Sequence, residues 1–247
     1  MEHRPSANPP PSIRRIGPRR EDHPRRGFCF LPHIWVGSRF RTIYTCPMPK
    51  FEFCLPTAGQ AVPAGPEWFH EIKFDGYRLR VEREGGRVRL ITRGGYDWTK
   101  RFPWIAEAAL KNRRSQFVID GEAVILGTNG VSDFNALHSR KQNHEVQLCA
   151  FDVLAMDGED LRELPLSMRK TNLERLLRGR PDGIFVNPFE SGEIGPHLFR
   201  AACDMGLEGL VSKRADRPYR GGRSPHWIKV KNRQHHAFDR VAIAKGR

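Results

Sequence analysis

Apolar and charged positions alternate through the stretch Phe69 to Phe74: Phe69, Glu71 and Lys73 fall on one side, Ile72 and Phe74 on the other. Period two predicts a β-strand, and Asp75-Gly76 predicts its turn. The strand-like runs 67–84 and 87–92 meet at Gly85-Gly86, a hairpin signal. From Thr99 to Arg113 the period lengthens to that of a helix. Thr99 is the expected cap, and Phe102, Ile105, Ala106, Ala109 and Leu110 share the inward face. Phe117 to Leu126 is an apolar run interrupted by Asp120-Gly121-Glu122, and it predicts a buried strand. A short helix follows over Ser132–Arg140, with Phe134 and Leu137 inward, then a strand over Val146–Leu154 closing at Asp157-Gly158. The remaining expectations are a helix within Leu161–Leu177 with an ordinary packing role, and a short strand from Phe185 to Phe189. A helix over His197–Met205 follows, then strands over Glu208–Arg214 and Trp227–Lys231. Between those last two strands, Asp216–Arg223 reads as a Gly/Arg/Pro loop lying over phosphates or DNA. Strands and helices mixed in this way predict an α+β fold of antiparallel sheets with flanking helices.

The 247 residues suit one large domain or two small ones, and 38% hydrophobic content supports a modest core. The charge changes the picture more. A formal +14 calls for a polyanionic partner, most simply nucleic acid, with an anionic membrane surface second. Residues 1–47 hold nine Lys/Arg against three Asp/Glu, and the rest hold 33 against 25, so both parts are basic. Residues 1–27 are rich in Pro, Arg and His without periodicity, and so predict a disordered extension. The segment 1–47 is read as a basic arm on phosphates, or as sequence upstream of a natural start at Met48; the domain proper is 48–247. Cys29, Cys46, Cys54, Cys149 and Cys203 form no CxxC pair and no zinc-type spacing, which points to free thiols in a reducing cytosol. No apolar run reaches the roughly 18 residues of a membrane span, and no signal-peptide pattern opens the chain.

The chemistry centres on Glu71-Ile72-Lys73-Phe74-Asp75-Gly76-Tyr77-Arg78. A lysine is a nucleophile only as the neutral amine, and flanking carboxylates alone would hold it charged. The arrangement makes sense if a metal or another cation shares the site. Taken alone, the stretch is as readily a surface strand and turn. Arg93, beside Gly94-Gly95, suits close approach of a phosphate. Asp120 and Glu122, inside an apolar run, need partners. Glu208 before Gly209 can face a phosphate only through a cation. Lys229 and Lys231, two apart in a strand, share a face and want an anion.

These stretches, in this order, resemble the motifs of the covalent nucleotidyltransferases, beginning with Lys-x-Asp-Gly-x-Arg at Lys73–Arg78. They are similar above all to the ATP-dependent DNA ligases, especially the ligase module of bacterial end-joining enzymes, over about Met48 to His236. The resemblance implies a ligase-like, ATP-grasp-like nucleotidyltransferase fold. It implies ATP as the nucleotide, with Mg²⁺ or Mn²⁺, and Lys73 as the residue that becomes lysyl-AMP, assisted by Lys229 and Lys231. It places Glu71, Ile72, Arg78, Arg93, Glu122, Phe151 and Lys213 at the nucleotide or nick. In that reading Glu71, or the backbone beside it, meets the adenine edge, Phe151 meets the adenine face, and Glu122 meets the ribose. Glu208 is the metal candidate, with Asp75 as a second. The implied partners are nicked or broken DNA and end-joining factors, in a bacterial cytosol. In these ligases an OB-fold of roughly a hundred residues follows the last motif. This chain runs only sixteen residues past Lys231, so a partner supplying the OB-fold is part of the expectation. Two rivals stand beside this reading: a non-catalytic nucleic-acid-binding remnant, and an RNA ligase or guanylylating capping enzyme.

Overall fold

The computed structural model describes residues 51–179 and 182–237. The expectations for residues 1–47 lie outside the described residues. Two sheets carry the fold, and both are mostly antiparallel. The first has strands β1 (Cys54–Ala58), β2 (Trp68–Ile72), β9 (Phe189–Ser191), β10 (Gly209–Arg214) and β11 (Gly222–Lys231), in the order β1-β11-β10-β2-β9. The second has β3 (Tyr77–Glu84), β4 (Arg87–Thr92), β5 (Gln116–Val124), β6 (Gln147–Met156) and β7 (Glu159–Asp160), in the order β4-β3-β5-β6-β7, with β8 (Ile184–Val186) on β6. Two pairings are parallel, β1 with β11 and β8 with β6.

The main core fills the second sheet's inner face. Leu79, Val81, Leu90, Ile119, Leu148 and Val153 are sealed from solvent there. Helices α1 (Pro103–Lys111) and α3 (Leu166–Leu177) add Ile105, Ala109, Leu173 and Leu176. Helix α2 (Phe134–Ser139) is capped by the Asp133 carboxylate, which accepts from Ala136 N, and contributes Leu137. Helix α4 (Gly195–Asp204) seals a smaller cluster under the first sheet through Ala202, beside Leu207 and Leu210.

Several expectations change. Helix α1 starts four residues after Thr99, because Pro103 suits the first turn, where its missing N–H is not needed. Thr99 instead ties the preceding turn, accepting from Leu90 N and donating to Asp97. Ala106 is half-buried and Leu110 exposed, so the inward face is narrower than predicted. The single strand expected over Phe185–Phe189 is two strands in different sheets, β8 and β9, divided at Asn187-Pro188. The residue before a proline is pushed to extended backbone, and proline offers no N–H to a ladder, so one continuous strand is disfavoured there. Likewise Asp75-Gly76 is no hairpin turn: β2 and β3 never pair, and 73–76 carries the chain from one sheet to the other. The loop expected over 216–223 is shorter, since β11 begins at Gly222. It also turns inward, with Tyr219 buried and Arg220 on Glu163.

Candidate functional site

Gly76 and Gly209 shape the crossover that presents Lys73. A Cβ at Gly76 would strike the Ala123 carbonyl of β5. Gly209 has φ +134, and a Cβ there would strike the Val230 carbonyl of β11. Both positions therefore require glycine. The close approach lets Lys73 N donate to Gly209 O at 2.9 Å, which fixes Lys73 beside Glu208.

Glu208 is buried and gathers two lysines. Lys73 Nζ donates to its Oε2, and Lys231 Nζ lies 2.8 Å from its Oε1. Burial pushes the Glu208 carboxyl up, but Lys73 and Lys231 outweigh it and hold the group below the usual carboxylate range. Lys229, two residues back on β11, lines the same cleft, half-buried, and makes no ion pair with the described residues. Burial lowers its pKa, and Lys73, Lys231 and Arg223 push it the same way. Three ammonium groups around one carboxylate leave an excess of positive charge facing the cleft, which suits a phosphate chain.

A second network forms the cleft wall. Glu71 is buried between Lys213, at 2.8 Å, and Lys170, at 2.7 Å but outside hydrogen-bond geometry. Asn187 Nδ2 donates to Glu71 Oε2 at 3.1 Å. Burial raises Glu71, yet the two lysines bring it below the usual range. Burial pushes Lys213 down to about 8, against the pull of Glu71. Its Nζ also sits 4.1 Å from the Phe151 ring centre and 4.2 Å from that of Trp227.

Behind it, Arg78 is clamped by Asp120 through two hydrogen bonds of 3.0 and 2.7 Å, among the rings of Phe53, Phe151 and Trp227. Tyr219 donates to the same carboxylate at 2.7 Å and accepts from Cys54 N, which places β1 against the site. Burial lowers the Arg78 guanidinium, but Asp120 reverses this and keeps it firmly charged. Glu122 behaves differently. Withdrawal from water pushes it up to about 7, with Glu208 and Asp120 pushing the same way against Lys73 and Arg78.

Part of this set lines a cleft of about 470 Å³, a size suited to a nucleotide, while Glu208 and Lys231 are not among its lining residues. Lys73, Glu71, Glu122, Phe151, Lys213 and Lys229 all line it, as do Ile72, Arg78 and Arg93. Arg93 is exposed at the rim and makes no hydrogen bond or ion pair with the described residues. Asp75 stands apart, grouped with His235 and His236, with His236 Nε2 3.6 Å from its carboxylate. Among the described residues no group of three or more ligands joins Asp75 to Glu208.

Five residues went unassigned in the sequence. Lys170 was read as ordinary helix packing, as was Arg169, which is buried and forked onto Asp152 at 2.8 and 3.0 Å. Trp227 and Tyr219 had no role, and Asn187 had no signal beyond the proline after it. The two charged residues at consecutive helix positions, Arg169-Lys170, were the usable hint: they point at two acids on two sheets, Asp152 and Glu71.

Comparison with known proteins gives a consistent answer. A family profile described as ATP dependent DNA ligase domain matches residues 57–231. The chain is 37% identical over 213 residues to the multifunctional non-homologous end joining protein LigD of Pseudomonas aeruginosa, covering 84% of this chain and 25% of that protein. It is 35% identical over 167 residues to the SPbeta prophage-derived DNA ligase-like protein LigB of Bacillus subtilis, covering 66% of this chain and 60% of that one. Among solved structures, the ligase domain of Mycobacterium tuberculosis LigD superposes with a TM-score of 0.64 at 34% identity, over 73% of this chain and 60% of that chain. A mycobacterial DNA ligase D complexed with ATP and MES gives the same values.

Proposed function

Since this chain belongs to the family of ATP-dependent DNA ligase domains, we propose that it is an adenylation domain, in which Lys73 takes AMP from ATP and passes it to a 5′-phosphate at a DNA nick or break. The observation that carries this reading is Lys73, on the lining of a nucleotide-sized cleft with Lys229 and tied to the buried Glu208, which also holds Lys231.

The residues divide the work. Phe151 and Trp227 offer apolar surface to the base, and Glu122 reaches the ribose hydroxyls. Lys229 and Lys231 meet the α-phosphate and stabilise the charge that builds on it. Glu208, which accepts from Lys73 in the resting geometry, takes the proton whose loss frees the attacking lone pair. Lys73 Nζ then forms a bond to the α-phosphorus as the bond to pyrophosphate breaks, and the amine's second proton leaves to solvent. The fit for a divalent cation rests on Glu122 and Glu208, whose mutual repulsion helps hold Glu122 at about 7. Mg²⁺ or Mn²⁺ bound there would neutralise that repulsion and withdraw charge from the α-phosphate. The AMP then moves from Lys73 to the 5′-phosphate of the DNA. The neighbouring 3′-hydroxyl displaces it, sealing the strand. Arg93, exposed and uncommitted at the rim, is placed to contact a DNA phosphate. DNA with a nick or break is the substrate of this activity and end-joining factors are its partners, in a cytoplasmic setting.

Intact-mass spectrometry after incubation with ATP and Mg²⁺ tests the reading. The expected result is a mass increase of one AMP, absent in Lys73→Ala, whose fold and DNA affinity stay close to wild type. An adduct that persists in Lys73→Ala would overturn the nucleophile, and no adduct in the wild type would overturn the transfer itself.

A further inference from the structure

Among the described residues one group of three metal-ligating side chains converges. Asp75, His235 and His236 each offer one donor atom, and these atoms all lie within 4.8 Å of one another. The Asp75 carboxylate is 3.6 Å from His236 Nε2. Zinc bonds of about 2 Å in a tetrahedron set two donors about 3.3 Å apart, so this spacing is already close to what a metal ion needs. The two imidazoles are neighbours in the chain and lie side by side, with ring centres 4.1 Å apart and planes at 33°. His235 is buried, Asp75 is largely covered and His236 is exposed, so the group opens to solvent on one side.

Hydrogen bonds fix both sides of the group. Asp75 sits on the crossover 73–76, where its N–H donates to Ser132 Oγ at 3.1 Å. The histidines stand in the turn after β11, and the buried Asn232 holds that turn. Its N–H donates to Glu208 O at 2.9 Å, its Nδ2 donates to Leu207 O at 3.1 Å, and its Oδ1 accepts from Gln234 N at 3.0 Å. His235 N closes the turn on Asn232 O at 3.3 Å. Ala237 N donates to His235 Nδ1 at 3.1 Å, which places the proton of the neutral ring on Nε2. Coordination through Nε2 moves that proton to Nδ1 and exchanges the Ala237 hydrogen bond for a metal bond.

We propose that Asp75, His235 and His236 form a binding site for a divalent cation of the zinc class, separate from the Glu122–Glu208 pair. The donor set decides the class. Two imidazoles and one carboxylate suit Zn²⁺, Co²⁺ or Ni²⁺, whereas Mg²⁺ takes oxygen ligands. Three protein ligands leave the remaining position to water. The ion joins the crossover that carries Lys73 to the turn that follows Lys231. These are the two segments whose lysines meet at Glu208, so the ion staples the frame on which that cluster is built. The proposal does not depend on the nucleotide reading of the cleft.

Co²⁺ added to the whole chain is the probe, with Mg²⁺ in excess to keep the Glu122–Glu208 pair occupied. Cobalt held by imidazoles in a four-coordinate site absorbs visible light, and Zn²⁺ added afterwards should bleach the band by displacing it. Wild type is expected to take up one Co²⁺ per chain with such a band. His235→Ala and His236→Ala should each weaken binding by at least about tenfold, the loss that even outer-shell changes cause at metal sites. His236 is exposed, so its variant keeps the test valid if the buried His235→Ala fails to fold. His197→Ala, at an exposed position on α4, should leave the titration unchanged. Thermal melts give a second readout: Zn²⁺ should raise Tm in wild type, and the gain should shrink in His236→Ala. A wild type without the band would overturn the proposal. So would a band that survives His236→Ala, or a loss that His197→Ala shares, because either would place the ion on other histidines.

Discussion

Glu122 is the residue whose environment and chemistry diverge most. Its folded pKa of about 7 lies above the value of 4.5 it would have when exposed. The folded state therefore holds the proton more tightly than the unfolded chain. Stability is highest below about pH 4.5 with respect to this group, and is lost as pH rises through 7. Glu122→Gln is expected to flatten that slope and to raise Tm at pH 8 relative to wild type, as thermal melts at several pH values would show. A cation bound beside Glu122 and Glu208 should give the wild type a similar gain, and the variant a smaller one. Glu122 was legible in the sequence as a carboxylate that needed a partner. That another carboxylate, Glu208, would push it the same way was not, because the two lie 86 positions apart in the chain.

Elements carry the site by crossing between sheets. Two of the crossings, 73–76 and 187–188, looked in the sequence like a turn and a strand. Local pattern reports extended backbone and a break, but not which sheet each side joins. Helix α3 shows the same gap. Arg169 sits on a helix that reads as packing, yet its fork holds Asp152 in the middle of β6, with both side chains sealed from water. Removing one partner of such a pair strands the other charge. Arg169→Ala is expected to cost about 3–5 kcal/mol, measured by urea unfolding. Converting both partners to apolar residues of similar size should recover much of it. Gly209→Ala tests the crossover itself. With φ at +134 and the Val230 carbonyl in the way, the variant should lower Tm and disturb Lys73 and Glu208 together, so AMP transfer should fall with stability rather than after it.

At the scale of the whole molecule, a formal charge of +14 is spread over both the first 47 residues and the rest. The cleft adds directed charge to that field. Binding to nicked duplex should weaken linearly on a plot of log affinity against log salt. Arg93→Ala should weaken it for every sequence alike and reduce the slope by about one, as fluorescence anisotropy across a salt series would show. An unchanged slope would place Arg93 off the DNA path. No helix among the described residues is long and apolar enough to cross a membrane. The chain covers a quarter of the Pseudomonas relative and three fifths of the Bacillus one, so sealing is a property to be tested.

The sequence by itself determined the local pieces and marked candidate groups. Period and punctuation set most strands and helices, and the resemblance of the stretches around Lys73, Glu122, Glu208 and Lys229 to nucleotidyltransferase motifs marked the candidate chemistry, because covalent chemistry constrains residue type at short range. The tertiary structure decided what those groups face. Lys73 points at Glu208, Arg78 is spent on Asp120, and Glu71 is buried beneath Asn187. Each of these contacts joins residues 42 to 135 positions apart. Such contacts depend on sheet order and on the two crossings, and neither leaves a trace in local pattern.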